Sequence, residues 1–143
     1  MRNFSLLFIG LFIISCSEST PEKENKIEVV STWPNGTPKV EHVHLMADTI
    51  KVINYHISGR VKSEGKMFGE TREGSWTSYY PSGKKWSLNS FKGGEKHGPY
   101  KTWHPNGKLN ISGHYSSGAS TGAWMFYDST GVLTKEYDVT PQN

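Results

Sequence analysis

Five glycines, Gly36, Gly59, Gly83, Gly107 and Gly131, recur at intervals of 23, 24, 24 and 24 residues, each three or four positions after an aromatic side chain. A period of this length marks a repeat architecture, in which each unit is too thin to bury its own apolar face and must stack on the next. From Gly74 onward the units superimpose residue by residue. Gly74-Ser-Trp76-Thr-Ser-Tyr79-Tyr80-Pro81-Ser82-Gly83-Lys84 is followed by Gly98-Pro-Tyr100-Lys-Thr-Trp103-His104-Pro105-Asn106-Gly107-Lys108, then by Gly122-Ala-Trp124-Met-Phe-Tyr127-Asp128-Ser-Thr-Gly131-Val132. Tyr55 to Val61 and Trp33 to Gly36 are earlier, more eroded copies. The repeat domain is placed over residues 27–143, its last clear copy ending near Val139.

Each unit carries the chemistry of a β-hairpin. Pro-Ser-Gly or Pro-Asn-Gly fixes one φ and then supplies a residue tolerant of positive φ, which makes a tight turn between two extended segments. Behind the turn, Leu109, Ile111, Gly113 and Tyr115 alternate with Asn110, Ser112 and His114, the period of a strand with one drier face. A second turn, Lys92 to Lys96 or Ser116 to Thr121, reverses the chain into the next unit. The predicted fold is all-β: an elongated antiparallel β-meander of stacked hairpins, with a period of about 24 residues and no helix.

Aromatic rings are the main apolar material. Trp76, Tyr100 and Trp124 share one repeat position, while Tyr79, Trp103 and Tyr127 share another three residues on, which predicts opposite faces. Met67, Phe91 and Tyr115 hold a third. Equivalent rings are expected to form ladders along the sheet, each burying roughly 150–250 Å². Gly65 and Gly113 share a position where the missing Cβ lets a neighbouring ring lie over the backbone, a pattern that Asn89 and Tyr137 interrupt.

Most of this material is expected to be core, and any exposed part a stacking platform for a sugar or for a partner's apolar surface. Trp86 stands apart, because it lies outside the repeated ring positions with parity opposite to Phe91, so packing does not require it. The candidate binding residues are therefore Trp86, Trp76, Tyr100, Trp124, Tyr79, Trp103 and Tyr127. Lys84, Lys85 and Lys108 read as solvated turn residues.

The unit resembles the bacterial MORN variant, a repeat of roughly two dozen residues written Gly-x-Trp-x-x-Tyr-Tyr-x-x-Gly, most clearly in the three copies from Gly74. The resemblance implies a twisted sheet of stacked hairpins. The eukaryotic form differs in carrying Tyr-x-Gly-x-Trp and a Gly-Lys-x-His-Gly turn, which only Gly94-Glu-Lys96-His97-Gly98 approaches. Proteins similar to this variant are commonly labelled antitoxin components of toxin–antitoxin systems. Choline- and glucan-binding repeats also combine Gly, Trp and Tyr-Tyr in short hairpins.

The N-terminus carries a different message. Arg2 precedes an apolar stretch from Phe4 to Ile14, eleven residues long, whereas a helix crossing a bilayer needs about 20. Residues 1–15 read as a secretion signal. Ile13-Ile14-Ser15-Cys16 resembles a lipobox, and the resemblance implies cleavage before Cys16 and acylation of its thiol. Cys16 is the single cysteine of the 143 residues, so its acylation removes thiol nucleophile, disulfide and thiolate ligand from consideration. Each buried methylene of an acyl chain contributes about 0.8 kcal/mol, so two or three chains hold the protein at a membrane. Ser17 after the cysteine implies the outer membrane, and Glu18 hints at surface export. Residues 16–26 are the lipidated cysteine and a polar tether.

Groups suited to reactive chemistry are sparse. His42 and His44 share a strand face, and His97 approaches His114 if the turn pairs Trp103 with Leu109, but without cysteine they fall short of a metal's donor set. Glu64, Glu70, Glu73, Glu95 and Asp128 are scattered, and no serine sits in Gly-x-Ser-x-Gly. No metal, cofactor or enzymatic activity is expected. Without Arg2 the chain has 15 basic and 13 acidic side chains, a net +2, which gives no electrostatic case for nucleic acid. The leading expectation is a lipid-anchored envelope module that binds an unidentified protein. Its alternatives are an antitoxin or envelope immunity component, and a carbohydrate- or cell-wall-binding repeat protein.

Overall fold

The computed structural model describes residues 25–46 and 48–139. The signal segment, Cys16 and the tether up to residue 24 lie outside the described residues. Eleven strands form one sheet: β1 (Ile27–Thr32), β2 (Pro38–His44), β3 (Thr49–Tyr55), β4 (Val61–Phe68), β5 (Thr71–Tyr79), β6 (Lys85–Lys92), β7 (Glu95–Lys96), β8 (Gly98–Trp103), β9 (Leu109–Ser116), β10 (Ala119–Tyr127) and β11 (Leu133–Val139). Their order in space follows their order in the chain, with the short β7 pairing β6 ahead of β8. Every pairing is antiparallel. The meander of stacked hairpins is what the glycine period predicted, and no helix occurs among the described residues.

One long edge of the sheet is a column of five identical turns. In the clearest, the His104 amide donates to Lys108 O at 2.8 Å and the Gly107 amide to His104 O at 2.8 Å, and the same two bonds recur at Trp33, His56, Tyr80 and Asp128. Gly107 takes φ 93°, in the left-handed region, which closes a three-residue loop with a one-residue bulge. The register records it: Thr102 faces Ile111 and Trp103 faces Leu109.

A second irregularity positions the rings. Glu64 faces Thr77 but Lys66 faces Glu73, so Gly65 stands opposite the three residues 74–76. Gly113 stands opposite residues 122–124 in the same way. Gly74 and Gly122, at φ 66° and 65°, make these bulges possible, and the bulged strand turns its aromatic across its neighbour. A Cβ on Gly65 would sit 2.2 Å from the Trp76 ring, and one on Gly113 2.4 Å from Trp124. The rings thus lie directly on glycine backbone.

The core is small. Among the described residues, Val52, Trp76 and Trp124 are the buried apolar side chains, with Ser87 and Thr102 the buried polar ones. A single layer has nothing to cover it, so most side chains keep partial contact with water.

Candidate functional site

The face carrying Gly65 and Gly113 is aromatic. Trp76 meets Phe91 edge-on at 6.5 Å. Two strands further on, Tyr100, Tyr115 and Trp124 form a triangle with centroids 5.2–5.6 Å apart. Phe126 stacks on Tyr137 at 5.6 Å. The rings gather into clusters where a continuous ladder was expected, and Tyr137 joins one of them although its position is a glycine in other units. Each cluster carries a cation: Arg72 lies 4.5 Å from Trp76, Lys96 4.7 Å from Tyr115 and Lys135 5.1 Å from Tyr137. Such cations shield ring faces while their charge stays in water. Burial, and then the neighbouring Tyr115, raise the pKa of Tyr100.

The opposite face is polar and tied by tyrosines. Tyr55 donates to Glu41 at 2.5 Å and Tyr79 to Glu64 at 2.7 Å. Glu64 also pairs with Lys51 at 2.7 Å. Lys51 first and Tyr79 second hold the Glu64 carboxyl below its usual range. Burial, and then the bond to glutamate, push both tyrosine hydroxyls up to about 12.

Along the turn edge, side chains bind the next unit's backbone. His56 donates to Tyr79 O at 3.1 Å, Tyr80 to Trp103 O at 2.8 Å and His104 to Tyr127 O at 2.8 Å. Asn106 reaches Ser129 O at 2.6 Å, and Lys108 donates to Thr130 O. His56 and His104 are thus partly buried staples, while Lys108 is exposed, as expected of a turn lysine, and in addition binds the next turn. Trp103 does pair with Leu109, but no cluster of three potential metal ligands exists among the described residues.

The candidate binding residues fall into three settings. Trp76 and Trp124 are buried, and Tyr100 packs between Tyr115 and Trp124. Tyr79, Trp103 and Tyr127 are half-buried and lend their carbonyls to the turn staples. Trp86 alone of the seven is exposed, at 51%. It leans on Tyr80 at 6.3 Å and overhangs a cleft of about 300 Å³ lined also by His56, Lys62, Tyr79 and Pro81. Sequence reasoning missed the cations and the staples, although the 24-residue steps from Arg72 to Lys96 and from His56 through Tyr80 to His104 carried the signal.

These features define an open, single-layer β-hairpin repeat protein with an aromatic face and a stapled edge. Two successive units, residues 72–92 and 96–117, match the MORN repeat variant. No curated protein matches the chain. Among solved structures, S. aureus TarM in complex with fondaparinux, alpha-GlcNAc-glycerol and UDP is similar at a TM-score of 0.44 and 6% identity, over 69% of this chain and 21% of that one. A second TarM structure gives a TM-score of 0.41 and 9% identity, over 81% and 21%. The chain spans about a fifth of those structures.

Proposed function

We propose that this protein is a display module for protein contact, held at the outer membrane or cell surface by acyl chains on Cys16. The observation that carries this reading is the shape of the fold. Only three apolar side chains are buried among the described residues, so the repeats supply two broad accessible faces in place of an enclosed pocket. The lipobox-like N-terminus and polar tether supply anchorage and reach. Neutralisation of an incoming toxin, an immunity role, is one form such contact takes. A specific observation favours carbohydrate as a second ligand class: Trp86 presents a half-exposed indole over a cleft.

The test is a crosslinking pull-down from native envelopes with the full-length chain, using Cys16→Ser as the unanchored control. A stoichiometric protein recovered only with the anchored form is the expected outcome. Recovery of unlipidated protein from the cytosol, bound to a toxin, overturns the envelope reading and restores the antitoxin role.

A further inference from the structure

Trp86 is an exposed indole that the repeat does not require for packing. Its repeat position is held by Lys62, Asn110 and Thr134 in other units, so neither the period nor the sheet requires an aromatic there. Its ring pairs with Tyr80 alone, tilted at 49°. The cleft below is walled by Pro81, Tyr79 and His56, with Lys62 also in its lining.

Among the residues that line this cleft, charge has one sign. Lys62 is in the lining, and Arg60 is fixed at the rim by a 3.1 Å bond to Pro81 O. Lys84 and Lys85 precede Trp86 in the chain, both exposed. No carboxylate lines the cleft. Glu64, which accepts from Tyr79, is already neutralised by Lys51.

Size and ring count narrow the occupant. At about 300 Å³ the cleft is at the small end of ligand sites. A proline-rich peptide would need a row of aromatic ridges, and the non-aromatic residues at the equivalent positions interrupt any such row. A sugar ring needs one indole for its apolar face and polar groups at its rim.

We infer that the Trp86 cleft binds a single pyranose ring carrying a carboxylate, its apolar face on the indole and its carboxylate on Lys62. This rests on the carbohydrate reading above and is narrower than it. The ammonium–carboxylate contact sets the preference for acidic over neutral sugars, and the indole sets affinity for both.

The experiment uses the full-length chain in detergent micelles, labelled with 5-fluorotryptophan. Its ¹⁹F spectrum is titrated with a glucuronate-terminated tetrasaccharide and, separately, its glucose-terminated counterpart, the Trp86 signal being assigned by Trp86→Phe. The expected result is a saturable shift of that signal, with the acidic sugar bound about tenfold more tightly, as for a charge-assisted bond. Trp86→Ala, at an exposed site, should weaken both sugars about tenfold or more by titration calorimetry, since its own fluorine signal is gone, without lowering the unfolding midpoint. Lys62→Gln should abolish the acidic preference and leave neutral affinity unchanged. Equal binding of both sugars by the unmodified chain overturns this inference but leaves the carbohydrate reading. No saturable shift with either sugar, or a shift only with a proline-rich peptide, overturns both and leaves the protein-contact reading.

Discussion

At Gly65 the decisive feature is an absent methyl group. Its Cβ would stand 2.2 Å from the Trp76 ring, so Gly65→Ala should cost about 1–3 kcal/mol through overpacking. In a Trp76→Leu background the same change should cost far less, and a double-mutant cycle by urea denaturation measures the coupling. The two buried indoles differ in a way that gives a second outcome. Trp76 Nε1 donates to Lys66 O at 3.0 Å, whereas Trp124 Nε1 is buried without a partner. Trp76→Phe should therefore lose about 1 kcal/mol more than Trp124→Phe, which removes an unsatisfied donor. Equal losses in urea midpoints would refute this. Gly65 and Gly113 were legible in the sequence as places for a ring to lie on backbone, because the repeat set them one period-multiple apart. The unpaired Trp124 donor was not, since that depends on the small displacement of one indole from its equivalent.

At the scale of the element, the hairpin turn is closed by two backbone bonds and a left-handed glycine. Gly107 has φ 93° and nothing within 4 Å of its missing Cβ, so Gly107→Ala should cost about 1–2 kcal/mol through left-handed strain. Gly107→Asn should recover a good part of that, because asparagine tolerates this region. Thermal melts of the two variants decide it, and equal destabilisation would count against a backbone origin. The final turn substitutes Asp128 for the tryptophan, histidine or tyrosine of its equivalents. Its carboxylate accepts from Thr130 N at 2.8 Å and Val132 N at 3.0 Å. The Thr130 hydroxyl leads the contacts that hold its pKa below the usual range. Turn positions were readable because Pro-Asn-Gly chemistry is local. The staples escaped notice because they join residues 21–23 positions apart, and a histidine's bond to a distant carbonyl has no signature within its own turn.

For the whole molecule, the tyrosine–glutamate ties make stability depend on pH from both sides. Tyr55 and Tyr79 ionise near 10.0 when unfolded and at about 12 in the fold. Their contribution is therefore complete below pH 10 and declines as pH rises from there through about 12. Glu64 acts oppositely, its contribution being present above the ordinary carboxylate value and lost as pH falls through its lowered one. Urea midpoints should fall between about pH 10 and 12, the alkaline window set by these tyrosines, and Tyr79→Phe should flatten that fall. An unchanged slope would remove Tyr79 from the account. Architecture was legible at this scale because a fixed period dictates stacking. The exposure of Trp86 was legible too, because it stood outside the repeated ring positions, whereas the gathering of the other rings into separate clusters was not, because that depends on where a neighbouring strand offers a glycine.

The staples and strand pairs join each hairpin only to the next, and the strands run across the molecule's long axis. A pull applied between residues 25 and 139 therefore loads those joints in series, so that one row opens before the next is strained. Held at both ends, the sheet would pay out chain as a ratcheted tape. Each 24-residue unit releases about 80 Å of extended backbone. Tension along the sheet would meet a succession of weak catches instead of a single strong one.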